Sequence, residues 1–253
     1  YYNQSGNTYA SWSWRANSGT TSTNTQGDVN STVQADPSGG FSIVQYTGTL
    51  TSGGVETVGH GLSKAPSMVI TKSLTTTGNW WVFSDGGTSW NYGMNLNVHD
   101  AEADKSGNGS MSAPTSTVFS TNWTDGMNEG SGKPMIAFCF ANIEGYCKVG
   151  SYVGNADDDG IFFYAGLKPA FFMCKPIVTG NWRIQDNKRT PYNVADDTLF
   201  PNHSNAELSN SSNEIDILSN GVKMRASDSD FNQATTFIYL VMAENPFQYA
   251  TAR

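Results

Sequence analysis

One tripeptide occurs twice in this chain, and it limits the possible folds more than any other feature. Gly78-Asn79-Trp80 and Gly180-Asn181-Trp182 stand about 100 residues apart, and each closes a similar apolar approach. Residues 62–72 (LSKAPSMVITK) lead to the first copy and residues 167–175 (LKPAFFMCK) to the second. The correspondence extends outward. Residues 43–48 pair with 149–154, 124–127 with 219–222, and 135–142 with 238–245. Matched blocks in one order predict a duplicated unit.

The composition indicates what that unit is made of. Charged residues are 14% and aromatics 12% of 253 residues, with a net charge of −8. Disordered chains show the reverse balance, with high charge and few aromatics. An acidic chain lacks the basic surface that grips nucleic acid, so no nucleic-acid partner is expected. No apolar run reaches the ~18 residues of a membrane helix, so no membrane insertion is expected. Three cysteines, Cys139, Cys147 and Cys174, cannot all pair, and Cys139 and Cys174 fall in apolar runs as buried thiols. The chain opens on Tyr1 without Met, as a fragment or processed product would.

In chain order, residues 1–17 hold a short alternating stretch around Trp12 and Trp14, read as the last strand of a truncated earlier repeat. Residues 18–40 are Gly, Ser, Thr, Asn and Gln with little to bury, and read as a polar linker or arm. Repeat one spans 41–145, with strands expected at 41–49, 55–59, 67–73, 80–84, 92–98, 116–120 and 134–141. Repeat two spans 146–253, with strands at 147–153, 160–165, 170–178, 181–186, 214–218, 222–226 and 235–243. β-Branched and aromatic residues fill these windows and Gly- or Asn-rich turns bound them. No helix of ordinary length is visible; only 194–208 has room for a turn or two. The predicted fold is all-β, with two tandem antiparallel β-sandwich repeats of jelly-roll or lectin-like form, about 100 residues each.

Little here asks for catalysis. His60, His99 and His203 have no ligands at metal spacing. There is no nucleophile elbow, and the Glu129–Pro134 stretch lacks a phosphate loop's spacing. Asp157, Asp158 and Asp159 gather carboxylates in one turn, which a Ca²⁺ ion or plain solvent would suit. Aromatic faces beside Asn and Asp suit sugar rings. Trp80 and Trp182 recur at one repeat position and are read as structural. Trp90, Tyr92, Trp123 and Tyr192 do not recur and are the candidate binding surface. Lys188 and Arg189 add a basic island, either for an anionic sugar or paired within the loop to Asp196 or Asp197.

Further motifs carry a resemblance: residues 40–48 (GFSIVQYTG), 58–62 (VGHGL), 180–182 (GNW), 186–193 (DNKRTPYN), 217–225 (ILSNGVKMR) and 243–247 (AENPF). With these, the chain resembles a repeat domain of tail-fibre and other virion proteins of tailed bacteriophages, especially marine ones. The resemblance implies a virion component and carries over no catalytic residue. It implies a binding protein on the particle surface, assembled with itself as a trimer and with other virion proteins, and contacting host cell-surface glycan. Strand donation by residues 1–17 would fit such an assembly. A head decoration or spacer and a polysaccharide depolymerase are the alternatives.

Overall fold

The computed structural model describes residues 5–16 and 19–245. The first half carries β1 (Ser22–Asn24), β2 (Ser31–Asp36), β3 (Phe41–Thr47), β4 (Val55–Gly59), β5 (Met68–Ser73), β6 (Trp81–Ser84), β7 (Tyr92–Asn95), β8 (Ala103–Asp104), β9 (Val118–Asn122) and β10 (Pro134–Phe140). The second half carries β11 (Cys147–Val153), β12 (Phe162–Tyr164), β13 (Pro169–Pro176), β14 (Arg183–Asp186), β15 (Asp197–Thr198), β16 (Leu208–Ser209), β17 (Ile215–Leu218), β18 (Gly221–Met224) and β19 (Thr236–Ala243). The protein is all-β: single 3-10 turns at Ser106–Asn108 and Ser211–Asn213 are the helical content of the described residues. The segment 194–208 forms β15, the start of β16 and irregular loop instead of a helical turn.

Both halves use one strand order. The eight-stranded sheet runs β1-β2-β3-β10-β5-β6-β7-β8, and the four-stranded sheet runs β11-β19-β13-β14. Thus β3-β10-β5-β6 corresponds to β11-β19-β13-β14, each centred on the strand that closes its half. β4 pairs with β9, and β18 with β12 and β17 on its two sides, as smaller cover sheets.

The molecule is layered, and burial on two sides explains its most apolar strands. One face of the eight-stranded sheet (Val44, Val69, Ala137) packs on Val58 and Phe119 of the β4-β9 pair. One face of the four-stranded sheet (Phe172, Phe237, Val241) packs on Phe163, Val222 and Met224 of its cover. The remaining faces meet each other: Phe41, Met68, Ile70 and Phe140 from the first half join Val149, Phe171, Met173 and Met242 from the second. β10 and β19 are covered on both faces, so they read as unbroken apolar runs, not alternating ones. Each large side chain in these layers contributes roughly 1.5–3 kcal/mol on leaving water.

The repeated tripeptide makes the same bonds in both halves. The Trp80 N–H donates to Asn97 Oδ1 at 2.9 Å, and the Asn97 amide returns a bond to Asn79 Oδ1 at 2.9 Å. The Trp182 N–H donates to Asn202 Oδ1 at 3.0 Å, and the Asn202 amide returns one to Asn181 Oδ1 at 2.8 Å. Glycine leaves room beside them: a Cβ at Gly78 would displace the Asp125 carboxylate, met at 2.0 Å, and one at Gly180 would meet the Pro176 ring at 2.5 Å. Both tryptophans then enter the layer between the halves, where the Trp182 indole N–H reaches the Asn95 carbonyl at 2.8 Å.

Four expectations need correction. Of the expected linker 18–40, residue 18 lies outside the described residues and 19–40 are not a linker: β1 and β2 form a hairpin that extends the large sheet along β3. The alternation of Ser31 and Val33 inward against Thr32 outward is a strand signal hidden by polar composition. Residues 5–16 form no strand among the described residues; Trp12 and Trp14 instead pack edge-on against Phe171, and Trp14 against Phe140. Asn17, which ends that expected strand, lies outside the described residues, as do Pro246 and Phe247 of the closing motif. The counterpart of 124–127 is not 219–222. Asn128 Oδ1 accepts the Thr49 N–H at 2.7 Å, and Asn232 Oδ1 accepts the Asn155 N–H at 3.2 Å, so 124–128 matches 228–232. The closing runs also match one residue differently, because Phe140 pairs with Phe41 as Met242 pairs with Cys147. A slip of one residue exchanges the two faces of a strand.

Candidate functional site

A groove of about 1240 Å³ opens along one end of the four-stranded sheet. Its floor is the end of the layer between the halves, where the buried Phe171 and Met242 line it beside Tyr146. One wall is the segment 6–14, held by Trp12 and Trp14. The facing wall is the β14–β15 connection, Asp186 to Arg189, with residues 204–207 beyond it.

Arg189 ties these walls together. Its Nε donates to Asp186 Oδ2 at 2.7 Å, and its guanidinium donates to Glu207 Oε2 at 2.5 Å and to the Ile184 carbonyl at 3.2 Å. Its Cζ lies 5.7 Å from the centre of the Trp12 ring. Asp186 also accepts the backbone N–H groups of Lys188 and Arg189, each at 2.9 Å, which folds the loop into a tight turn. Burial opposes ionisation of Asp186, but the Arg189 N–H and guanidinium and the Lys188 N–H outweigh it and hold the carboxyl below its usual range. Asn187 lines the groove with a buried Oδ1 that has no hydrogen-bond partner among the described residues. The surface therefore combines aromatic faces with fixed carboxylates. It can stack an apolar ring face and bond hydroxyls at its edge.

The structure divides the residues singled out from sequence. Lys188 and Arg189 line the groove; Tyr192 is 82% exposed on the same connection. The partners expected for the basic island are different, since Arg189 takes Asp186 and Glu207 while Asp197 bonds Thr190 Oγ1 at 2.7 Å. Trp90, Tyr92 and Trp123 lie on the other half, around the 105–111 loop. Trp90 is half-buried against Phe83, Met111 and Met127 and lines a void of about 10 Å³, so it serves packing. Tyr92 pairs with Asp104 in the sheet, and the Trp123 N–H donates to the Asn108 carbonyl at 3.3 Å.

The acidic turn is engaged within the fold. Asp157 accepts the Asp159 N–H at 2.8 Å, Asp158 the Ser227 N–H at 3.1 Å, and Asp159 the Lys223 ammonium at 2.6 Å. His99 and His203, far apart in sequence, come within 6.5 Å between ring centres. No group of three metal-ligating side chains occurs among the described residues. Trp12, Trp14, Tyr146 and Glu207 line the groove without having been singled out for it. The one available signal was a pair of tryptophans in an otherwise polar stretch.

Residues 1–246 match a family model described as a domain of unknown function (DUF7483). No curated protein and no solved structure matches the chain.

Proposed function

The chain belongs to the DUF7483 family, and we propose that it is a structural, carbohydrate-binding module of a phage virion appendage. The groove beneath Trp12 carries the binding part of this reading. Its aromatic lining and its paired charges suit a hydroxyl-rich ligand. Arg189 pairs with both Asp186 and Glu207 there, and Asp186 is held ionised, which sets it against a general-acid role. The matched hydrogen bonds of the two halves support descent from one duplicated sandwich unit. The motif resemblance to tail-fibre repeats supports a place on the particle surface, in a trimer, with host-surface glycan as the ligand.

Host-surface polysaccharides on a glycan array test this reading. The protein should retain at least one glycan, and Trp12→Ala should weaken retention about tenfold or more while its melting temperature stays within a few degrees. Soluble protein should also compete with phage adsorption. An array without hits, or equal retention by Trp12→Ala, defeats the groove as a glycan site.

A further inference from the structure

The two halves differ at one sheet edge. In the first half β2 covers the outer edge of β3, from Ser31 opposite Tyr46 to Asp36 opposite Phe41. The chain entering β2 also reaches the cover sheet. The Val29 N–H donates to the Thr57 carbonyl at 3.0 Å, and the Ser31 hydroxyl to the Gly59 carbonyl at 2.7 Å. One arm thereby closes the seam between the large sheet and its cover. In the second half β11 holds the place of β3. β19 lies on one side of it, and no strand lies on the other among the described residues.

The open side presents usable groups. Cys147 and Ile143 exchange both backbone bonds at 3.0 Å on that side. By the two-residue period of a strand, Val149, Ser151 and Val153 turn their N–H and C=O groups the same way. Asn142 Oδ1 takes the Val149 N–H at 2.6 Å, so the open run is the Val149 carbonyl and both groups of Ser151 and Val153. Ser151 is exposed, and Val153 is 62% exposed. Open edges are usually shortened, charged or broken by proline. β1, β8 and β12 are only two or three residues long, and β14 is bridged to Leu199 through Ile184. β11 runs for seven residues without proline, and its one charge, Lys148, lies at its start, away from the open run at Ser151 and Val153.

We propose that the β11 edge is an acceptor site for an extended donor strand from another polypeptide, one alternating small apolar with hydroxyl or amide side chains as β2 does. The interface already formed at the equivalent edge identifies this occupant. In that register a donor residue in the place of Ser31 faces Tyr152, and one in the place of Val33 faces Gly150. Backbone bonds would supply affinity, and the alternating side chains specificity. The site is independent of whether the groove takes sugar.

The probe is a synthetic peptide of residues 28–36, added to the intact protein and followed by amide hydrogen exchange. Alone, the protein should exchange the Ser151 and Val153 amides rapidly. With peptide, both should slow by about tenfold or more, and a Val33→Lys peptide should protect them far less. Ser151→Pro, with its fold checked by circular dichroism, should lose peptide binding measured by fluorescence anisotropy. Protection of these amides in the free protein at low concentration would overturn the proposal. So would protection that grows with protein concentration alone, which would mean that a second copy pairs edge to edge. Peptide effects confined to β2 and β3 would overturn it as well.

Discussion

The Tyr152 hydroxyl donates to the Phe231 carbonyl at 2.7 Å, and the Tyr46 hydroxyl donates to the Met127 carbonyl in the other half. Each bond ties an equivalent strand, β3 or β11, to the segment that enters the closing strand of its half. Both phenols are buried, and burial pushes their pKa upward, so they stay protonated donors. The Tyr152 ring also stacks on Phe163 at 5.0 Å and Phe237 at 4.9 Å. Tyr152→Phe keeps that stack and removes one hydroxyl, leaving the Phe231 carbonyl without its partner. The expected loss is about 1–3 kcal/mol, the cost of a dry unsatisfied acceptor, read from the urea midpoint. Tyr46→Phe should lose a similar amount. Neutral substitution at both sites would show that these bonds do not hold the halves in shape.

His60 predicts an acid limit. It is fully buried; its Nδ1 accepts the Leu62 N–H at 3.1 Å, so Nε2 carries the proton toward the Thr115 carbonyl at 3.1 Å. Burial lowers its pKa, and only the bond to Thr115 opposes that. A second proton would set an N–H against the Leu62 N–H. The folded pKa lies below the unfolded value, so this contribution is complete above about pH 6.5 and is lost as pH falls through the folded pKa. Melting temperature should therefore fall from about pH 7 to about pH 5 more steeply in the parent than in His60→Gln. Parallel curves would remove His60 as the cause.

Much of this was legible in the sequence, because period-two alternation and Gly- or Asn-rich turns are local signals. All fourteen strand windows expected in residues 41–253 coincide with strands from β3 to β19. The arm 19–36 was not legible. Its buried residues are Val29, Ser31 and Val33, only two of them apolar, and polar neighbours satisfied by backbone pairing look like linker. The groove was legible only in part. Lys188 and Arg189 stand out as charge in a weakly charged chain. Trp12 and Glu207 meet Arg189 only through tertiary packing, which no spacing encodes. Trp90 shows the converse: a tryptophan that does not recur between the halves still fills core space.

Lys175 predicts an alkaline gain. It occupies the position that Lys72 holds in the first half, where Nζ caps the Ser73 and Thr76 carbonyls at 2.7 and 2.6 Å. Lys175 has no exposed surface, and its Nζ donates to the Gly180 carbonyl at 2.6 Å and to His99 across the halves at 3.4 Å. Desolvation lowers its pKa to about 8, although Asp230 and Asp100 pull the other way. Below that pH both folded and unfolded chains carry the proton, and the fold bears the whole cost of a buried cation. As pH rises from about 8 toward the unfolded value near 10.4, the folded chain is already neutral while the unfolded chain still binds a proton, so stability rises. The full gain is on the order of 3 kcal/mol. Lys175→Met has no such titration. Urea midpoints of the parent relative to Lys175→Met should therefore climb between about pH 7.5 and pH 10. A constant difference across that range would show that the carbonyl cage holds the ammonium charged throughout.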